Sequence, residues 1–190
     1  VGEKHALAYK SHPKTNLTTI CDFKESTETL KKLFPEVNLY NSDELIFTDE
    51  KVDIISLASY DNFHAEQILR GIENGKHIMA EKPLCLNQDE LDKIIKAKKT
   101  KPNLILSANH VLRTTSRFKR IKKDIQKGEL GEIFYFEGDY LWGRKEKLFG
   151  WRAEMDFYSI ILGAAIHMID LAIWILDSKP VMVYAIGNNL

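Results

Sequence analysis

The chain is poor in the residues that announce a special architecture. It has two cysteines among 190 residues, Cys21 and Cys85, too few for a disulfide framework, and each stands within or beside an apolar run where a small buried thiol is common. A reducing compartment is the resulting expectation. Charge of either sign is not in excess: 27 basic and 27 acidic residues balance, leaving nothing to attract nucleic acid or an anionic membrane. No apolar stretch approaches the roughly 20 residues of a membrane span, and Val1-Gly2-Glu3-Lys4-His5 does not have the form of a signal peptide. Repeats, low-complexity tracts and linkers rich in Ser, Gly and Pro are absent. His12, His77 and His110 share no ligand spacing and the cysteines are far apart, so zinc is not expected. What remains is a cytoplasmic protein, 44% hydrophobic, whose partner is a small molecule.

What is present is a rhythm. Short β-rich runs at 17–21, 37–40, 52–57, 77–80 and 104–108 alternate with amphipathic stretches at 25–34, 63–74 and 89–99. That is the pattern of βαβ units around a parallel sheet. Asn74-Gly75 can take positive φ just past a helix, and Asn87 with Glu90 three residues later has the form of a capping box. After Ala108 the rhythm changes: a basic helix at 116–127 ends at Gly128, an aromatic-rich strand is expected at 133–142, an apolar helix at 162–176 and a strand at 181–186. The fold class is α/β, a doubly wound parallel sheet of Rossmann type lacking its first strand, followed by an incomplete α+β domain. The boundary is set at 112, giving domains 1–112 and 113–190.

A dinucleotide fold opens with a strand, a glycine turn whose backbone approaches the pyrophosphate, and a helix whose N-terminus faces that charge. Here Gly2 leads into a helix through Tyr9, and Asp22 follows twenty residues after Gly2 at the end of the next strand. An acidic residue at that distance accepts hydrogen bonds from the adenosine ribose and opposes a 2′-phosphate, which favours NAD over NADP. Alternatively, Asp22 simply begins a turn, and Lys24 nearby tempers the preference. In the usual strand order the first strand is central, so its absence leaves two inner edges unpaired; the expectation is that the chain is a fragment of a longer protein.

Glu81-Lys82-Pro83 follows the strand 77–80, at the carboxyl end where open α/β sheets bind ligands. A lysine there suits the role of a group that stabilises oxyanion character in a bound ligand. Pro83 keeps Lys82 extended and aims it, and Glu81 would hold it. Taken alone, Glu-Lys-Pro is more often a surface tripeptide that ends a strand.

Together, Gly2-Glu3-Lys4-His5-Ala6, Cys21-Asp22, Gly75 through Pro83, Asn109 through Arg113, Gly128 through Ile133, and His167-Met168-Ile169-Asp170 with Trp174 resemble the Gfo/Idh/MocA family, the glucose-fructose oxidoreductase and inositol dehydrogenase relatives. The resemblance runs along almost the whole chain. It implies NAD(P)-linked oxidation or reduction at a hydroxyl or keto carbon of a sugar, cyclitol or nucleotide sugar, and a parent protein that forms homo-oligomers through an open sheet. It implies Lys82 and His167 as catalytic residues, Glu81, Lys82, Asn62 and His64 beside Gly2 and Asp22 at the cofactor, and Arg113, Trp151 and Arg152 with His167 around the substrate. Tyr140, Trp142 and Arg144 belong to the same group. The family pairs its histidine with an aspartate four residues earlier; here that position is Gly163, so orientation of His167 would need another group. A lone histidine in so apolar a helix is also a common core residue, and His64 has helix capping by Asp61 or Asn62 as its competing explanation. His5 is read as structural. The alternative function is a catalytically inactive sensor of dinucleotide or sugar with the same fold.

Overall fold

Alternation decides the strands of the first half. In the computed structural model, Ile54–Leu57 buries Ile55 and Leu57 and His77–Ala80 buries Ile78 and Ala80. The two strands pair in parallel with Ile55 opposite Ile78 and Leu57 opposite Ala80, so the buried residues share one face. The structure describes residues 1–22, 27–141, 143, 146, 149–155 and 159–187; Lys24, Trp142 and Arg144 lie outside them. The chain divides into two units, Val1–Asn109 and His110–Leu190.

The first unit runs α1 (Gly2–Ser11), β1 (Thr19–Cys21), α2 (Thr27–Leu33), β2 (Asn38–Tyr40), α3 (Glu44–Thr48), β3 (Ile54–Leu57), a 3₁₀ turn (Asp61–Phe63), α4 (His64–Glu73), β4 (His77–Ala80), α5 (Gln88–Thr100) and β5 (Leu106–Ala108). Every strand pair is parallel. The α4 stripe Ala65, Ile68 and Ile72 packs with Ile55, Leu57, Ile78 and Ala80, and Phe47 of α3 and Ile94 of α5 complete that core. Spacing of three and four residues puts the stripe on one side of the helix. Gly71 permits the approach, because a Cβ there would lie 2.8 Å from Ile78 Cδ1. Ser56 points to the opposite face and meets His5 of α1, so helices cover both faces.

The ends of the helices follow local chemistry. Asn87 Oδ1 accepts from Glu90 N–H at 2.9 Å, the N-cap half of a capping box, and Glu90 Oε2 reaches one residue further back to accept from Leu86 N–H at 2.8 Å. Gly75 has φ +73°, which only glycine adopts without strain. Lys76 is buried, its Nζ donating to the carbonyls of Asp49 and Val52, and thereby ties off the chain after α3.

Among the described residues the strands form two sheets, β1-β2 and β3-β4-β5. The unpaired edges of β1 and β3 both line one cleft of about 870 Å³. This is the arrangement expected of a doubly wound sheet without a strand between β1 and β3.

The second unit contains a 3₁₀ turn (Val111–Thr114), α6 (Ser116–Gln126), a 3₁₀ turn (Gly150–Arg152), a π-helical turn (Ile161–Ala165) and α7 (Ile166–Leu176). Leu171 and Ile175, four apart on α7, are buried, and Lys122 of α6 donates to the Trp174 carbonyl. The expected strands at 133–142 and 181–186 are not strands among the described residues. Phe134 and Leu141 are each 96% exposed and Tyr184 86%. Aromatic and β-branched residues raise strand propensity, but a strand exists only through a ladder with a partner, and here these segments pair with nothing described. α3 was not expected, being only five residues long.

Candidate active site

The parallel register brings the chemistry of the first unit to one end of the sheet. Beyond β3 and β4 the ladder continues, Glu81 N–H donating to the Leu57 carbonyl at 2.9 Å and Asn109 N–H to the Ala80 carbonyl at 2.8 Å. Glu81 and Asn109 therefore stand side by side just past strands whose last residues, Ala80 and Ala108, are partners. Lys82 follows, half-buried, and the Lys82–Pro83 peptide is cis.

Glu81 is gripped. Its Oε1 accepts from Asn109 Nδ2 at 2.7 Å and lies 3.0 Å from His5 Nε2. A carboxylate only accepts, so Nε2 carries the proton that is shared. The other ring nitrogen, Nδ1, is 2.8 Å from Ser56 Oγ; the hydroxyl can donate to a neutral ring or accept from a charged one. Partial burial alone would push the Glu81 pKa up, yet the hydrogen bonds from His5 and Asn109, the His5 charge and the Lys82 backbone N–H outweigh it and lower the value to about 2.

Pro83 is held from below. His64, at the start of α4, has no exposed surface; Nδ1 lies 2.6 Å from the Pro83 carbonyl and Nε2 3.3 Å from the Ser59 carbonyl. Its ring thus supports the turn from beneath. Asn62 is exposed in the preceding 3₁₀ turn, beside the stacked rings of Tyr60 and Phe63.

The start of α1 lies on the cleft that β1 and β3 line. The first-turn amides of a helix lack intrahelical acceptors and carry the positive end of its dipole. A Cβ on Gly2 would lie 3.6 Å from Ala58 Cβ, so the helix start sits against the carboxyl end of β3. Gly2, Asp22, Ala58 and Ser59 line the same cleft, and Asp22 is exposed directly after β1, its backbone N–H donating to the Tyr40 carbonyl. An anion-binding helix start and a carboxylate at the end of the next strand fit a dinucleotide's pyrophosphate and ribose.

The second unit holds the remaining expected residues. Arg113 is bound bidentately by Asp170, with Nε donating to Oδ2 at 2.8 Å and Nη2 to Oδ1. These hydrogen bonds raise the Arg113 pKa above its ordinary value, and His110 lies 3.5 Å from the same carboxylate. His167 stacks with Tyr140, ring centroids 6.0 Å apart, and the Arg152 guanidinium lies 4.1 Å from the Trp151 ring centroid, as cation–π pairs do. Gly163 falls within the π-helical turn, whose longer winding takes position 163 off the line above 167 that an α-helix would give.

Ser56 and Asn109 carried no expected role and His5 only a structural one. Asn109 was findable, since it follows β5 as Glu81 follows β4. His5 was not, because its partner is 76 residues away and nothing local marks it. Among the described residues no group of three His, Cys, Asp or Glu side chains is placed to hold a metal ion, and no helix is long and apolar enough to cross a membrane.

Residues 1–110 match the family described as GFO_IDH_MocA, oxidoreductase family, NAD-binding Rossmann fold, and residues 118–190 match the GFO/IDH/MocA C-terminal domain. Across the whole chain it is 29% identical to myo-inositol 2-dehydrogenase of Thermotoga maritima, covering 56% of that protein. It is 25% identical, again over its whole length, to 2,7-anhydro-N-acetylneuraminate hydratase of Escherichia coli, covering 50%. The crystal structure of myo-inositol 2-dehydrogenase from Lactobacillus plantarum superposes with a TM-score of 0.85 at 26% identity, over 94% of this chain and 54% of that one. The chain thus spans about half the length of the relatives it matches.

Proposed function

The chain belongs to the Gfo/Idh/MocA oxidoreductase family, and from that premise we propose that it is the nucleotide-binding and catalytic part of an NAD-dependent dehydrogenase of a sugar or cyclitol. The observation that carries the reading is Lys82, fixed at the carboxyl end of β4 between a gripped Glu81 and a supported Pro83. The likeness to an inositol dehydrogenase supports the substrate class. Cytoplasmic location and a homo-oligomeric assembly are part of the same proposal.

The amides at the start of α1, with Gly2, would receive the pyrophosphate, and Asp22 would accept from the ribose hydroxyls. That carboxylate disfavours a 2′-phosphate, which is why we assign NAD before NADP. Exposed Asn62 borders the nucleotide. Bound NAD supplies the hydride acceptor. Lys82 donates a hydrogen bond to the reacting oxygen and steadies its charge as the proton leaves. His167 keeps the proton-accepting role that the family resemblance implies for it. Glu81, with a pKa near 2, is too weak a base for the task and serves to fix the turn. Trp151 and Arg152 offer a ring and a guanidinium for the substrate, and Arg113, bridged to Asp170, stiffens the segment it belongs to.

The test is spectrophotometric. The protein carrying this sequence, mixed with NAD and a panel of inositols, free sugars and nucleotide sugars, should reduce the nicotinamide with at least one member. NAD binding without turnover on any member would replace this reading by the sensor alternative.

A further inference from the structure

Glu81 is held by the side chains of His5 and Asn109, and His5 is held in turn by Ser56. His5 is on α1, Ser56 on β3, Glu81 follows β4 and Asn109 follows β5. His5 is one helical turn after Gly2, and its ring reaches from the helix that starts at the nucleotide end to the turn that carries Lys82. Both its nitrogens are engaged, and its side chain is only 16% exposed. A solvated ring would be expected merely to cover the sheet. This one instead spends both polar atoms on fixed partners.

We propose that His5 is a positioning residue for the reaction: by holding Glu81 it fixes the backbone of Lys82 and so the placement of the ammonium, tying that placement to the start of α1. The inference rests on the function proposed above. The linkage is short. His5 Nε2–H and Asn109 Nδ2–H both reach Glu81 Oε1, and the Glu81 carboxylate in turn accepts from the Lys82 backbone N–H. Removing the imidazole leaves Asn109 as the side-chain donor, beside the Lys82 backbone N–H, on a carboxylate that is 18% exposed. The turn then keeps its fold, supported by His64 beneath Pro83, and loses definition at Lys82. Displacement of a reacting group by a fraction of its own length is enough to slow a reaction that depends on near-attack geometry.

His5→Ala and His5→Gln variants of the protein separate the possibilities. A glutamine amide can replace Nε2–H as the donor to Glu81, whereas alanine replaces nothing. The expected result is a fall in kcat of about tenfold to hundredfold in His5→Ala, with the NAD dissociation constant unchanged and kcat largely recovered in His5→Gln. In protein without cofactor, carbon-13 carboxyl NMR should show the Glu81 pKa rising toward its ordinary value in His5→Ala, because the donor and its charge are gone. Equal kcat in His5→Ala and the unsubstituted protein would overturn the inference, as would a loss of NAD binding that accounts for the whole defect. So would an unmoved Glu81 titration. Absence of turnover in the unsubstituted protein is a different failure: it refutes the proposed function, and this inference falls with it.

Discussion

The ring of His64 lies 2.6 Å from the carbonyl of Pro83, joining the first residue of α4 to the turn that carries Lys82. Both groups are buried. Replacing His64 by alanine removes a filled volume and leaves the carbonyl without that donor. His64→Ala is expected to lower stability by about 3 kcal/mol, read by urea denaturation, and to lower kcat further than thermal unfolding explains. A loss under about 1 kcal/mol would mean that a water or a neighbouring donor takes over.

Gly71 tests the packing of α4 on the sheet. A Cβ there would meet Ile78 Cδ1 at 2.8 Å and Cγ1 at 3.1 Å. Alanine gains about 1 kcal/mol of helix propensity, while overpacking a filled core costs about 1–3 kcal/mol. Gly71→Ala should therefore be neutral to moderately destabilising, and Gly71→Val, which gains little propensity and brings more atoms, clearly worse. Denaturant midpoints that rise in Gly71→Val would contradict the close approach.

Acid should act through Glu81. Its pKa is about 2 in the folded protein against an ordinary 4.5, so the unfolded chain takes up this proton first. A depressed carboxyl pKa contributes stability that is complete above about 4.5 and is lost as pH falls toward 2. Thermal midpoints measured across that window should fall less steeply in Glu81→Gln than in the unsubstituted protein. Parallel profiles would show that the carboxylate is not held as described.

The sequence was most informative where chemistry is local. β4 occupies the residues its alternation marked, 77–80, and Asn87 caps α5 with Glu90 as their spacing indicated. The unpaired edges of β1 and β3 followed from strand order alone. Long-range pairing was not legible in the same way. The segments 133–142 and 181–186 have the composition of strands, but composition cannot supply a partner. At the site, Glu-Lys-Pro was visible as three adjacent residues, whereas the grip on Glu81 depends on His5 and Asn109, which are 104 positions apart and meet only when the sheet forms. The burial of His64 was hidden for the same reason: its sequence neighbours suggested a cap, and the residue that decides its place is Pro83.

Lys82→Ala is the most direct test of the central claim that this lysine performs the chemistry at a site that binds NAD without it. The measurement pairs steady-state turnover on the best substrate of the panel with NAD affinity from fluorescence quenching. The account expects kcat/KM to fall by about a hundredfold or more, while the NAD dissociation constant stays within about threefold, since every 1.4 kcal/mol of lost binding would cost tenfold. Turnover that survives the substitution would contradict it.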